Sequence, residues 1–239
     1  MTAILGLYRL QLRQQLGLGR AVVGGGMSAL AIVIALLIAR NVSDAERVEA
    51  TIGFLSVFGL GLMVPILCLV LASSSLGNLV EDETLVYLWI RPTPRWMLAV
   101  AAWLAAATVA VPLLTIPLTF AAALGSGGDG DAIGATAASM ALAAAAYTGI
   151  FTLMGLVIRR SLIWGLVYLF IWELFVARVG QGAARLSINT YPASVLAKLT
   201  DLELPQAERS LTNGIIVPIL VTLAAIALTT WRLNRANVA

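Results

Sequence analysis

The sequence predicts an all-α protein that crosses a membrane six times. Of its 239 residues, 60% are hydrophobic and only 11% are charged, whereas soluble proteins carry about 25% charged residues. A helix needs roughly 20 apolar residues to span a bilayer. Six runs approach that length, and they cover residues 20–39, 52–76, 95–124, 132–158, 161–179 and 213–231. We expect them to form a single transmembrane domain that uses the whole chain, residues 1–239.

An amphipathic helix is predicted before the first span, over residues 2–16. Its apolar stripe consists of Leu5, Tyr8, Leu12 and Leu16. Gln11 and Arg13 fall elsewhere around the helix. Helices of this kind lie along a membrane surface with the apolar stripe toward the lipid. We therefore expect an interfacial helix on the inner side of the membrane.

Positive charges set the predicted orientation, because Lys and Arg in short loops stay on the cytoplasmic side. With both termini in the cytoplasm, nine of the 15 basic residues lie inside and six lie outside. Arginine outnumbers lysine fourteen to one, a composition typical of GC-rich bacterial genomes. The predicted location is the bacterial cytoplasmic membrane, with several spans and both termini inside.

A short cytoplasmic helix is predicted between the second and third spans, over residues 78–91. Asn78 can accept hydrogen bonds from the first N–H groups of a new helix, and Glu81 stands three residues later, as in a capping box. Pro92 ends the helix because it has no N–H group to donate. After its acidic first turn the helix is apolar all round, so we expect another protein surface to cover it.

This stretch resembles the coupling helix of permease subunits in type 2 ABC exporters. In that family an acidic turn leads into Gly-Thr-Leu, an apolar run and a Pro-x-x-Arg element. The residues at matching spacing are Glu81, Thr84, Leu85, Pro92 and Arg95. Glu83 stands where the family usually has glycine. The resemblance extends more weakly over the whole chain, through six predicted spans and a long loop before the last one.

The resemblance implies that the segment couples the chain to a separate cytoplasmic ABC ATPase. The residues it assigns to this coupling are Glu81, Asp82, Glu83, Thr84, Leu85, Leu88, Trp89, Arg91, Pro92 and Arg95. ATP and Mg²⁺ would be bound by that ATPase, and no cofactor by this chain. A second permease copy, identical or related, would complete the pore, and the exported compound would be lipophilic or amphipathic, such as a drug, a peptide or a lipid.

Glu173 is an ionisable residue deep in the fifth apolar run. A carboxylate in hydrocarbon costs roughly 2.5–3.5 kcal/mol on insertion scales, so we expect it to face the bundle, a cavity or a partner subunit. Two alternatives are open for this residue. In the first, Glu173 contributes to substrate passage or to dimer contact. In the second, it makes a structural hydrogen bond or lies near the outer interface. On an ideal helix the opposite side carries an aromatic stripe made of Trp164, Tyr168, Trp172 and Phe175.

The loop over residues 180–212 is too long for a turn and mixes apolar residues with charges. We expect short helices in it that dip into the outer interface, one of them starting near Tyr191. A disordered loop is the alternative.

Residues that the chain lacks exclude several classes of activity. It has no histidine, and Cys68 is its single cysteine, so neither a zinc site of imidazoles and thiolates nor a Ser-His nucleophile is available. No Walker A sequence is present to hold ATP phosphates. We expect no metal, no nucleic-acid partner and no enzyme activity in the chain itself. A secondary transporter and a membrane scaffold or immunity protein remain as alternatives to the exporter subunit.

Overall fold

The structure, a computed structural model, describes residues 2–15, 17–81, 94–176, 184, 186–204, 207 and 209–235. Within these residues all regular secondary structure is helical. In chain order the α-helices are α1 (Thr2–Gln15), α2 (Leu18–Asn41), α3 (Arg47–Phe54), α4 (Val64–Glu81), α5 (Arg95–Gly125), α6 (Gly130–Val157), α7 (Ser161–Val167), α8 (Thr190–Thr200) and α9 (Leu211–Arg235).

Two segments of nine residues have π-helical geometry and continue their helices without a break. The first π segment, Leu55–Met63, joins α3 to α4. The second π segment, Tyr168–Val176, follows α7. Pro65 stands two residues beyond the first of them, where it removes a donor from the helical ladder.

Five helices are long and apolar enough to cross a membrane, which makes a multi-pass membrane protein the natural interpretation. They are Leu18–Asn41, Arg47–Ser75, Arg95–Gly125, Gly130–Val157 and Leu211–Arg235. Five of the six predicted spans are therefore confirmed as candidate spans. The remaining one, predicted over 161–179, has a shorter apolar helix at Ser161–Glu173. This helix continues through the second π segment to Val176, the last described residue before 184, so the sixth span stays a prediction.

Helix α6 lies at the centre of the bundle, where it packs against α4, α5, α8 and α9. Its small residues let neighbouring backbones approach closely. At Gly155 the approach is closest, because a Cβ atom there would overlap the backbone carbonyl of Ser73 in α4. Helices α4 and α6 are thus locked together at this crossing.

Helix α1 forms as predicted, but a different face of it is buried. Leu7, Gln11 and Gln15 face the bundle, and both glutamine side chains are only 2% exposed. The sequence places Gln11 away from the apolar stripe, and its burial was not predicted. The cause is tertiary packing: α1 lies along α5, and the Tyr8 hydroxyl donates a hydrogen bond to Thr108 Oγ1 at 3.1 Å. Placement of α1 in a membrane interface stays a prediction.

Candidate functional site

The carboxylate of Glu173 is buried inside the bundle and is surrounded by hydrogen-bond donors. The side chain, in the second π segment, is 5% exposed. Its Oε1 accepts hydrogen bonds from the Tyr168 hydroxyl at 3.0 Å and from the Ile188 N–H at 3.2 Å. Its Oε2 accepts a hydrogen bond from the Ser187 hydroxyl. Three donors compensate the carboxylate for the water that it loses on burial.

Tyr168 reaches Glu173 because of the π-helical backbone between them. Five residues in an α-helix are about 140° apart around the axis, which is why the sequence places Tyr168 on the opposite side. In a π-helix the i→i+5 hydrogen bonds set residues five apart one above the other. The predicted position of Tyr168 is therefore wrong. Trp164 and Phe175 are exposed and do point away from the bundle.

Tyr147 of α6 brings a second phenol to the carboxylate. Its side chain is fully buried, and its hydroxyl interacts electrostatically with Glu173 and Tyr168. Among the described residues, the Tyr147 hydroxyl has no hydrogen-bond partner of good geometry. The ring stacks on Phe151, with centroids 5.8 Å apart. The Tyr147 phenol is therefore a further polar group beside the carboxylate.

Two donors to Glu173 come from the loop before the last span, which folds back into the bundle. We call residues 186–200 the inserted segment. Its helix α8 begins at Thr190, close to the predicted start at Tyr191, and packs against α6 and α9 instead of lying on a surface. A Cβ atom added at Gly214 in α9 would lie 2.7 Å from Val195, so the two helices are in close contact there. Residues 180–183 and 185 of the loop lie outside the described part of the chain.

The first π segment lies against the same inserted segment. A Cβ atom at Gly61 would come within 4.0 Å of the Asn189 side-chain amide. Both π segments therefore meet residues 187–189, one at Gly61 and the other at Glu173. Because π-helical geometry is rare and occurs frequently at functional sites, this meeting point is the leading candidate site in the described part of the molecule.

A half-open cleft of about 190 Å³ adjoins the Glu173 network. Its wall consists of Leu186, Ser187, Ile188, Tyr191, Val217, Pro218 and Val221. Pro218 is seven residues into α9, which places the cleft about 10 Å along that helix. Two of the wall residues, Ser187 and Ile188, are those that donate to Glu173.

The predicted coupling helix is only partly within the described residues. Helix α4 continues through Asn78 to Glu81 without interruption, so Asn78 does not cap a new helix and that part of the prediction is wrong. The other assigned residues before α5 are not among those described; they are Asp82, Glu83, Thr84, Leu85, Leu88, Trp89, Arg91 and Pro92. Pro94 is the next described residue, and Arg95 is the first residue of α5.

Arg95 ties the start of α5 to the end of α9. Its Nη1 donates hydrogen bonds to the carbonyl oxygens of Leu233 at 2.7 Å and Asn234 at 3.0 Å. The last carbonyls of a helix lack partners within it and carry the negative end of its dipole, so a guanidinium is well suited there. Next to this contact an apolar cluster joins both ends of the chain; it consists of Leu7, Leu98, Ala99, Ala101, Ala102, Leu156 and Leu233.

Sequence reasoning selected Glu173 and Arg95 but missed their partners. Ser187 and Ile188 carry no motif, and only their distance in the folded chain reveals them. Two tyrosines in apolar runs, Tyr147 and Tyr168, were a usable signal, since a buried phenol usually has a polar partner. The described residues contain no group of three His, Cys, Asp or Glu side chains that could hold a metal ion.

No protein-family model matches the chain, and no curated protein matches it in sequence.

Proposed function

We propose that the chain is the transmembrane subunit of an ABC exporter, driven by a separate cytoplasmic ATPase. The observation that carries the proposal is the Arg95 contact. Arg95 closes the Pro-x-x-Arg element of the coupling motif, and it holds the last carbonyls of α9. A force applied to residues 82–93 would therefore act on α5 and on the end of α9 together.

Two connections lead from residues 82–93 toward the Glu173 network. One runs through α4, which precedes these residues and is locked to α6 where Gly155 meets Ser73. The other runs from Arg95 into α9, which lines the cleft. Both α6 and α9 pack against α8. Closure of the ATPases on ATP would move the inserted segment through these helices and change access to the pore.

In this proposal the partners are those that the coupling motif implies. The ATPase binds ATP and Mg²⁺, and a second permease copy, identical or related, completes the pore. The chain would reside in the bacterial cytoplasmic membrane with both termini inside, surrounded by lipid on the exposed faces of α2 and α9. The exported compound would be lipophilic or amphipathic.

Purification of the tagged chain from its native membrane tests the proposal. We expect a P-loop ATPase to co-purify, because the helix predicted over residues 78–91 is expected to dock on it through its apolar residues. Leu88→Asp should release that ATPase while the chain stays folded in the membrane. Leu199→Asp places the same charge on α8, far from the coupling segment, and should leave the complex intact. An intact wild-type chain that brings no ATPase, or a Leu88→Asp chain that retains it, would refute the proposal.

The Arg95 contact makes a sharper prediction within the same complex. Arg95→Ala removes both hydrogen bonds to α9 but leaves the docking segment unchanged, so the complex should form and its stimulated ATP hydrolysis should fall. Arg235→Ala is the matched control: it removes one charge at the same end of the bundle, where the guanidinium stacks on Trp231 at 4.4 Å. Equal stimulated ATP hydrolysis in the Arg95→Ala and wild-type complexes would show that the Arg95 contact does not couple the ATPase to α9.

A secondary transporter is the second candidate, and Glu173 is the observation that favours it. Ionisable residues buried between membrane helices commonly mark ion or proton pathways. Transport into vesicles that survives ATP depletion and stops when the ion gradient is collapsed would support this function over the exporter.

A further inference from the structure

The cleft beside the inserted segment has the shape and wall of a small ligand site. Its volume of about 190 Å³ lies below the roughly 300–1,000 Å³ of drug-sized pockets, so it fits a small molecule or one branch of a larger one. Five of its seven wall residues are apolar, and Ser187 and Tyr191 are the polar ones. Leu186 in the wall is 69% exposed, so the cleft lies beside the surface of the described bundle.

Charge behind the wall decides which ligand the cleft favours. Glu173 lies directly behind Ser187 and Ile188, and the donors that the described residues give it are two hydroxyls and one backbone amide, all neutral. Among the described residues no Lys or Arg nitrogen lies within 4.0 Å of its carboxylate. The positive end of α8 offsets part of the charge, about half an elementary charge at most. The field of a buried carboxylate reaches further than it would in water, because the surroundings have a low dielectric constant.

We infer that the cleft binds an amphipathic organic cation, with the apolar body against α9 and the positive head toward Ser187. Tyr191 in the wall adds an aromatic ring, the kind of side chain that receives quaternary ammonium groups. A neutral molecule of the same shape gains neither interaction, and an anion is repelled by Glu173. As a place where an exported compound is recognised, the cleft rests on the proposed function; as a binding site it stands independently.

The test uses the full-length chain alone, in nanodiscs of phosphatidylcholine, without ATP or ATPase. The probes are benzyltrimethylammonium and benzylsulfonate, which share the apolar ring and differ in the sign of the charge. Equilibrium dialysis measures the Kd of each. We expect the wild-type chain to bind the cation more tightly than the anion, and Glu173→Gln to weaken cation binding at least about fivefold.

Two further variants locate the bound cation. Val217→Phe fills the cleft without changing any charge and should abolish cation binding even if Glu173→Gln folds poorly. Glu203→Gln removes an exposed carboxylate just beyond α8 and should leave the Kd unchanged. The inference is overturned if Val217→Phe binds the cation like wild type, if Glu203→Gln weakens it as much as Glu173→Gln, or if both probes bind equally.

This experiment separates the inference from the proposed function. If the chain binds the cation but recruits no ATPase, the cleft is supported as a cation site and the exporter function is refuted. An ATPase complex whose permease binds neither probe would leave the exporter supported and the cleft without this ligand class.

Discussion

Replacing Glu173 should separate the charge of this residue from its role as a hydrogen-bond acceptor. Glu173→Gln keeps nearly the same shape, and its carbonyl can still accept from Tyr168 and Ile188. Glu173→Leu removes every acceptor while keeping an apolar side chain of similar size. The Ser187 and Tyr168 hydroxyls can rotate in search of other acceptors, but the Ile188 N–H cannot.

The expected magnitudes follow from these three donors. Each buried donor left without an acceptor costs about 1–3 kcal/mol. With the amide always stranded and one hydroxyl stranded in part, Glu173→Leu should destabilise the chain by about 2–4 kcal/mol. Glu173→Gln loses charge assistance and places an amide NH2 where Oε2 accepted from Ser187; because that hydroxyl can turn and accept instead, the change should cost about 1 kcal/mol. For a chain of this size, 1 kcal/mol moves Tm by about 2–4 °C, so the leucine variant should melt about 4–16 °C lower.

A double-mutant cycle with Tyr168→Phe identifies the contact responsible. In the wild-type background the loss of the hydroxyl should cost about 1.5–3 kcal/mol, since it removes a hydrogen bond to a charged group. In the Glu173→Leu background the same change should cost close to nothing, because the hydroxyl no longer has its acceptor. Thermal unfolding in detergent, followed by circular dichroism, measures all four proteins.

The reasoning would be refuted by additive effects in this cycle or by a Glu173→Leu protein as stable as wild type. Transport or stimulated ATP hydrolysis in the same variants then gives the functional role. Loss of function in both Gln and Leu variants, with normal insertion, indicates that the charge is needed. Loss in Leu alone indicates that the hydrogen bonds suffice, and full function in both would remove Glu173 from the site.

Two other predictions concern packing and topology. Gly155→Ala should destabilise the bundle by about 1–3 kcal/mol, because its Cβ would overlap a backbone carbonyl of α4. Gly134→Ala on the same helix is the control, since its Cβ would meet nothing within 4 Å. Equal melting temperatures for the two variants would contradict this packing. With both termini inside, a cysteine at Ala45 should react with an impermeant thiol reagent added to intact cells and one at Glu83 should not, and the buried Cys68 should stay silent; labelling at position 83 from outside would invert the topology.

Much of the helical layout could be predicted from hydropathy, because lipid and a packed apolar core impose the same demand on a helix. Five candidate spans and helix α8 appear where the apolar runs place them. Burial of Glu173 was also predictable, since a lone carboxylate in an apolar run has few other places to go. These inferences depend only on the hydropathy and charge of residues that are near one another in the sequence.

The failures share a different cause, which is that tertiary packing overrides local patterns. Asn78 has the form of a helix cap, yet α4 continues past it because extending a helix is easier than nucleating a new one. Gln11 faces the bundle because α1 docks along α5. Tyr168 lies on the same side of its helix as Glu173 because nine residues adopt π-helical geometry. No periodicity in the sequence predicts that geometry.

Helix α9 is the element that the two candidate sites share, and its two ends are held differently. At its C-terminal end Arg95 bonds the last carbonyls, so this end must follow α5. Near the cleft, Pro218 has no N–H to give to the carbonyl of Gly214, and Gly214 itself packs directly on Val195. Helices bend most readily where a proline interrupts the ladder. When α5 moves, α9 should therefore bend around Pro218, beside the inserted segment and the Glu173 network. Coupling between the Arg95 contact and the Glu173 network then needs only α9, with its C-terminal end fixed to α5 and its other end able to bend.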